Sequence, residues 1–375
     1  MDRRNCLRSL GGTLGAASTL GWWNPAQAQS VLRFGMIAGF TGPVSALTQE
    51  SADGARLCFE AVNAQGGVRG QQLELVALDD KYDAALTAQH GKNLAAQGVL
   101  AFMLPRGTAQ SEALVPIATQ ARMALIAPVS GAMSLRYPVQ PNVFNLRASF
   151  QLEAERAVRH LAQTGVKRIT IIKSNDVFGT DAGMGAIKGL EAVGLRVLSN
   201  LSYDRAKPNL APMMQAVAKA GIEAVVLIGP GYAVAEGVQA LRAAGSTAHV
   251  ATLSNNATAE FVKSLGDQAR GVIVTQVMPY ERSSNNPMVR EALNLAKASG
   301  RTELTSAHVE GFAAARLVVE ALKRVPKDVS RDNLVKALEG GRFDLGGLQV
   351  RYTEKDHFGL EFTDVSIIAD GKFLR

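Results

Sequence analysis

Six short segments of this chain place hydroxyl, amide and aromatic side chains directly after apolar runs, where parallel strands would end. In open α/β sheets, ligands bind outside the carboxyl ends of the strands. Three segments lie in the first part of the chain and three in the second, so two such sheets facing each other would enclose a small molecule. This pattern favours a binding protein over an enzyme. The segments are residues 39–43 (GFTGP), 105–108 (PRGT), 128–131 (PVSG), 174–178 (SNDVF), 229–232 (GPGY) and 254–256 (SNN).

Thr108 is the strongest single candidate for ligand contact. It follows an apolar run, adjoins Gly107 and precedes a predicted helix that ends near Arg122, so we also expect it to be the N-cap residue of that helix. A hydroxyl group and free backbone N–H groups at a helix N-terminus form an anion site. Hydrogen bonds to a charged ligand contribute about 1.5–3 kcal/mol each, so several converging donors decide the affinity. A plain capping role remains the alternative.

The second half of the chain offers aromatic and acidic candidates in its own segments. Phe178 and Tyr232 supply flat contact area and, for Tyr232, a hydroxyl group. Asp176 has two possible roles: it meets a ligand amine, or it caps the helix that begins near Phe178. The second role is favoured, because aspartate is a common N-cap residue.

Signatures of catalysis are missing from the sequence. The five histidines are scattered, and neither an H-E-x-x-H motif nor a closely spaced cysteine pair is present to hold a metal. There is no G-x-S-x-G elbow and no Walker-type lysine loop. Residues 179–189 are rich in glycine but lack the dinucleotide-binding spacing, which favours close helix packing. We therefore expect no cofactor, no metal and no enzymatic activity.

The N-terminus has the parts of an export signal. Arg3, Arg4 and Arg8 precede a short apolar run, and an A-x-A sequence ends at Ala28. We expect residues 1–28 to be a signal peptide that is removed after Ala28, which places the protein in the periplasm. Both the twin-arginine route and the Sec route remain open, and an amphipathic N-terminal helix is the alternative. Removal of the signal takes Cys6 away and leaves Cys58 as a buried, unpaired thiol.

Composition and charge narrow the remaining choices. At 375 residues, with 47% apolar and 19% charged residues, the chain is long enough for two globular domains. The net charge is +7, but the sequence has no run of five like charges and no interleaving of basic with aromatic residues. We therefore expect no nucleic-acid partner.

Alternating apolar strands and amphipathic helices predict an α/β fold with two doubly wound parallel-sheet lobes. The predicted strands are residues 31–38, 73–78, 99–103, 123–127 and 143–146, then 169–172, 195–198, 224–228, 250–253 and 272–275. Residues 346–375 indicate further strands with a tight turn at Asp370-Gly371. We expect residues 29–147 and 277–344 in the first lobe and 148–276 and 345–375 in the second. Three crossings, near Arg147, Val277 and Leu345, would connect them.

Several short motifs in this order resemble a known family. They are residues 41–43 (TGP), 63–70 (NAQGGVRG), 79–80 (DD), 308–312 (HVEGF) and 358–375. Together they are similar to the periplasmic solute-binding proteins of ABC importers, in the branch of the leucine/isoleucine/valine-binding protein. The resemblance covers nearly the whole chain beyond residue 28. It implies a type I periplasmic binding fold with a three-strand hinge, a monomer that closes on one small solute and docks on a membrane permease.

The resemblance also assigns roles to individual residues. Thr108 matches the residue that holds the ligand carboxylate, and Ser130 with Gly131 matches the segment that completes this site, a simple turn being the alternative for the latter pair. The positions of Phe178 and Tyr232 match ligand-facing aromatic residues, and Leu47 matches a position against the ligand side chain. Ser254 and Asn255 lie in the loop where amino-acid binders of this branch carry a glutamate.

No acidic residue stands in that loop, and a buried ammonium group without a carboxylate is costly. Either Asp176 or another acid binds the amine, or the ligand has none. A branched-chain amino acid and a small aromatic or aliphatic carboxylate therefore both remain open as ligands. An extracytoplasmic sensor with the same fold is the alternative to a transport protein.

Overall fold

The computed structural model describes residues 30–301, 303–326 and 328–375. The expected signal peptide, with Cys6 and the cleavage position after Ala28, lies outside the described residues. The strands are β1 (Val31–Ala38), β2 (Gln72–Asp79), β3 (Ala101–Met103), β4 (Ala124–Ile126), β5 (Val143–Phe144), β6 (Ile169–Ser174), β7 (Asn200–Tyr203), β8 (Ala224–Ile228), β9 (His249–Thr252), β10 (Ile273–Gln276), β11 (Arg342–Asp344), β12 (Gln349–Arg351), β13 (Asp364–Ala369) and β14 (Lys372–Leu374).

Helices separate most of these strands, as the alternating pattern predicts. None of the helices in the described part of the chain combines the length and the apolar character that crossing a bilayer requires. The α-helices are α1 (Ser45–Ala64), α2 (Ala84–Ala96), α3 (Thr108–Gln120), α4 (Phe150–Gln163), α5 (Val177–Ala192), α6 (Ala211–Lys219), α7 (Gly231–Ala243), α8 (Ala259–Leu265), α9 (Pro287–Ala298), α10 (Ser306–Leu322) and α11 (Arg331–Glu339).

Each half of the molecule is built on its own sheet. The first sheet has the strand order β2-β1-β3-β4-β5 and is parallel throughout. The second has the order β14-β13-β10-β9-β8-β6-β7, in which β10, β9, β8, β6 and β7 run parallel and β13 pairs antiparallel with both β10 and β14. The prediction of an α/β fold with two parallel-sheet lobes is confirmed.

Buried apolar residues cover both faces of each sheet, which explains the uninterrupted apolar strands. Helices α1, α9 and α10 pack on the first sheet with a shared core, and α4 and α5 pack on the second. Gly185 of α5 lies against α4 so closely that a Cβ atom there would be 2.2 Å from the backbone of Gln151. The glycine-rich segment therefore serves close helix packing, as expected.

The prediction at the end of the chain is correct for its turn and wrong for its boundary. Asp370 and Gly371 have φ values of 49° and 70° and join β13 to β14 in a tight turn. Residues from 345 were expected in the second lobe, but Leu345, Tyr352 and Leu360 are buried in the core of the first. The third crossing therefore lies between Leu360 and β13.

A second correction concerns the strand predicted at residues 195–198. This segment forms no strand, and β7 begins at Asn200 instead. Val197 and Leu198 are exposed, because the segment approaches the edge of the second sheet, where β7 pairs with β6 alone. Cys58, by contrast, is 2% exposed, and burial raises the pKa of its thiol to about 12, so the expectation of a buried, unpaired thiol is confirmed.

Candidate ligand-binding site

A cavity of about 720 Å³ lies between the two lobes. Its wall consists of loops and helix starts that follow β1, β2, β3 and β4 of the first sheet and β6, β7, β8 and β9 of the second. The carboxyl ends of both sheets therefore face the same space, which is where α/β folds bind ligands. A volume of this size is typical of sites for small molecules.

All six segments singled out in the sequence contribute to this wall. Three candidate residues, Ser130, Gly131 and Ser254, do not line the cavity but lie directly behind it. Six of the candidate residues line it: Leu47, Thr108, Asp176, Phe178, Tyr232 and Asn255.

Thr108 is the first residue of α3 and not its N-cap residue, so the capping prediction was wrong. The N-cap position belongs to Gly107, whose φ of 101° is a conformation that glycine adopts at little cost. Freed from capping, the Thr108 hydroxyl lies 3.0 Å from the Ser130 hydroxyl. Thr108 is 7% exposed and borders the cavity, and Ser130 is the hydrogen-bond partner found for its hydroxyl among the described residues.

Ser130 and Gly131 support this corner from behind. Ser130 is fully buried, and its hydroxyl oxygen also accepts the Ala132 N–H at 3.3 Å. Gly131 accepts the Phe150 N–H at 2.8 Å, and a Cβ atom at Gly131 would be 2.4 Å from that nitrogen. The alternative reading of Gly131, a backbone turn, fits this packing.

Aromatic rings form the apolar part of the wall. Phe178 packs edge-on against Phe150, with 4.6 Å between the ring centroids. Tyr232 is 47% exposed at the cavity, and its hydroxyl donates to the Arg205 carbonyl at 2.7 Å. The Asn255 amide donates to the Gly229 carbonyl at 3.0 Å, while its buried side-chain oxygen has no hydrogen-bond partner within the described ranges.

Asp176 is the N-cap residue of α5, as the favoured interpretation predicted. Its carboxylate accepts the Gly179 N–H and the Ser174 hydroxyl, both at 2.8 Å, and forms an ion pair with Arg205. Burial by itself would raise the pKa of Asp176, but these three donors outweigh it and hold the pKa below its ordinary value. The carboxylate is already neutralised and is a poor partner for a ligand amine.

Three arginines on the wall were not recognised in the sequence as binding residues. Arg106 stands in one of the six segments, but only its neighbour Thr108 was weighed there. Its guanidinium group donates to the Leu47 carbonyl at 3.2 Å and to the Ser51 hydroxyl at 3.0 Å, and Arg106 is 6% exposed. An arginine directly after a buried strand was the signal that could have indicated it.

Arg147 lies on the first crossing and contacts both lobes. Its Nη2 atom is 3.2 Å from Glu153 and also donates to Ser254, and its Nη1 atom is 3.5 Å from Glu310 of α10. Burial would lower the pKa of Arg147, but Glu310 and Glu153 outweigh it and raise the pKa above the ordinary value. Ser254, which lies behind the wall, is thus one of the side chains that hold Arg147 in place on the wall.

Arg205 connects the two lobes across the cleft. Its Nη2 atom lies 3.4 Å from the Tyr82 hydroxyl, and its guanidinium carbon lies 5.7 Å from the centre of the Tyr82 ring. Tyr82 follows β2 in the first lobe, whereas Arg205 follows β7 in the second. This side-chain contact therefore joins the two lobes.

A family model described as "Periplasmic binding protein" matches residues 31–361. The chain belongs to the periplasmic binding protein family. The resemblance drawn from the sequence motifs, and the type I periplasmic binding fold it implied, are confirmed.

Relatives of this periplasmic binding protein are named for amino acids. A Leu/Ile/Val-binding protein homolog from Brucella melitensis is 23% identical over 87% of each chain. The Leu/Ile/Val-binding protein of Escherichia coli K12 is 19% identical over 76% of this chain and 77% of its own. Both relatives are named as binding proteins for these amino acids.

Solved structures share the architecture across nearly the full chain. An extracellular ligand-binding receptor from Verminephrobacter eiseniae is 29% identical, with a TM-score of 0.84 over 92% of this chain and 100% of its own. A possible leucine/isoleucine/valine-binding protein from Rhodopirellula baltica is 26% identical, with a TM-score of 0.84 over 92% of this chain and 96% of its own.

Proposed function

We propose that this protein is the periplasmic solute receptor of an ABC importer. It binds one small carboxylate or branched-chain amino acid between its lobes and presents it to a membrane permease. The family membership supports a binding role, and the N-terminal pattern that ends at Ala28 supports export. In this function the wall residues bind and orient the ligand, and no bond is made or broken.

The observation that carries this proposal is the composition of the cavity wall. Thr108 and two buried arginines, Arg106 and Arg147, lie near the apolar surface of Phe150 and Phe178. Such a wall suits a molecule with one anionic end and an apolar body. Because both lobes contribute to the wall, such a ligand would contact both and shift the population toward the closed arrangement.

The test combines binding with transport. A thermal-shift screen of the purified protein against amino acids and aromatic or aliphatic carboxylates is expected to yield a clear stabilising ligand from one class. Cells that lack the gene are then expected to lose uptake of that ligand, and the gene supplied in trans is expected to restore it. Normal uptake with a lost transcriptional or motility response to the ligand would instead support the sensor function.

A further inference from the structure

We propose that Arg106 binds the anionic group of the ligand, and that this ligand is a small organic carboxylate without an α-ammonium group. The inference rests on the proposed solute-receptor function and narrows its ligand class. It depends on the charges that line the cavity and on how each is already matched.

Arg106 is a buried cation without an adjacent counter-ion. It is 6% exposed, and in the described residues no carboxylate oxygen lies within 4.0 Å of its guanidinium nitrogens. Its identified hydrogen-bond acceptors, the Leu47 carbonyl and the Ser51 hydroxyl, are uncharged, and its buried Nε atom has no partner in the part of the chain that the structure describes. Buried charges are normally paired, so this group lacks the partner that a bound anion would supply.

The other two arginines on the wall already have carboxylate partners. Arg147 is matched by Glu153 and Glu310, and Arg205 is matched by Asp176. Neither Glu153 nor Glu310 lines the cavity. The remaining positive charge on the described wall is therefore that of Arg106, next to the Thr108 hydroxyl at the start of α3. The backbone N–H groups of the first turn of α3 add to this positive potential.

The same wall offers little to an ammonium group. Asp176 accepts three donors, including Arg205, and its other acidic neighbours on the wall, Asp204 and Glu260, are exposed. Glu310 and Glu50 are near enough to act on Arg106, but Glu310 faces Arg147 and Glu50 accepts the Thr305 hydroxyl. Among the described residues, the wall therefore offers no buried acid free of other partners to the amine of a zwitterion whose carboxylate binds Arg106.

The rest of the wall favours an apolar body on the ligand. Leu47, Val129 and Phe150 lie on the wall with Arg106, and Phe178 extends this surface in the second lobe. Burial of an apolar group on such a surface is favourable because it removes that group from water. An aliphatic or aromatic carboxylate therefore satisfies both parts of the wall.

Isothermal titration calorimetry on the purified protein tests this inference with ligand pairs that differ by the amine alone. One pair is 4-methylpentanoate and leucine, and another is 3-phenylpropanoate and phenylalanine, with 4-methylpentanamide as the uncharged analogue. We expect one of the carboxylates to bind at least about tenfold more tightly than its amino acid, since an unpaired buried amine costs more than the 1.4 kcal/mol that a factor of ten represents.

Variants of Arg106 distinguish the loss of its guanidinium group from a general folding defect. Arg106→Gln is expected to weaken carboxylate binding by about 10- to 150-fold, which corresponds to a charged hydrogen bond of about 1.5–3 kcal/mol. Arg106→Lys keeps the charge and is expected to restore part of that loss even where Arg106→Gln folds poorly. Arg33→Gln, an equal charge change at an exposed position of β1, is the control and is expected to leave binding unchanged.

The outcomes distinguish this inference from the function on which it rests. Tight binding of an amino acid but not of its des-amino analogue, or full binding by folded Arg106→Gln, would overturn the inference and leave the receptor function intact. If no carboxylate or amino acid binds, and cells that lack the gene take up these compounds normally, both this inference and the receptor function would be overturned.

Discussion

Replacement of Thr108 by alanine separates a ligand-binding hydroxyl from a structural one. The substitution removes the 3.0 Å contact with Ser130, whose hydroxyl keeps the Ala132 N–H as a donor. Loss of one neutral hydrogen bond costs about 0.5–1.5 kcal/mol of folding free energy. No capping contribution is lost, because Gly107 is the N-cap residue. The unliganded protein is therefore expected to melt within a few degrees of the wild type.

Ligand binding is expected to respond much more strongly. A hydrogen bond to a ligand carboxylate contributes about 1.5–3 kcal/mol, so Thr108→Ala is expected to raise the dissociation constant by about 10- to 150-fold. Calorimetry with the ligand from the screen measures this, and differential scanning calorimetry without ligand measures stability. Thr108→Ser keeps a hydroxyl and is the matched control. A variant that melts much earlier yet binds normally would refute the reasoning, since Thr108 would then be purely structural.

Three further predictions concern the contact of Tyr82 across the cleft and two buried positions, Cys58 and Gly185. Tyr82→Ala removes the ring that Arg205 contacts across the cleft, an interaction worth about 0.5–1 kcal/mol. Small-angle scattering of the unliganded protein is therefore expected to show a larger radius of gyration than that of the wild type. An unchanged scattering profile would contradict this. Cys58, with its pKa raised to about 12, is expected not to react with a thiol reagent at pH 8 until the protein unfolds, and rapid labelling of native protein would disprove its burial. Gly185→Ala is expected to destabilise the fold by about 1–3 kcal/mol in denaturant titrations, and equal stability would show that the Gln151 backbone yields.

The sequence predicts the two sheets well because their strands are buried on both faces. Uninterrupted apolar runs such as that of β8 are recognisable as buried strands. The position of the loops at the carboxyl ends then follows from the parallel topology. The pattern fails where burial is one-sided or shared. Residues 195–198 are apolar enough for a strand, but Val197 and Leu198 are exposed beside the sheet edge. Likewise, the apolar residues from Leu345 to Leu360 do not specify which of two cores receives them.

The candidate site was predictable in its location and less so in its electrostatics. Residue type and position identified the hydroxyl of Thr108 and the capping carboxylate of Asp176. The pairing of charges could not be foreseen, because it depends on long side chains from segments far apart in the chain. Arg147 meets Glu310 from more than 160 positions away, and among the described residues no carboxylate forms an ion pair with Arg106.

Arg147 lies on the first crossing between the lobes and forms ion pairs with Glu153 of the second lobe and Glu310 of the first. Any rotation that widens the cleft must stretch at least one of these two attachments and admit water to the other. Opening of the two lobes is thereby coupled to the hydration of Arg147 at the crossing between them. A bound ligand that excludes water from Arg147 would therefore stabilise the closed lobes, even without direct contact with the crossing segment.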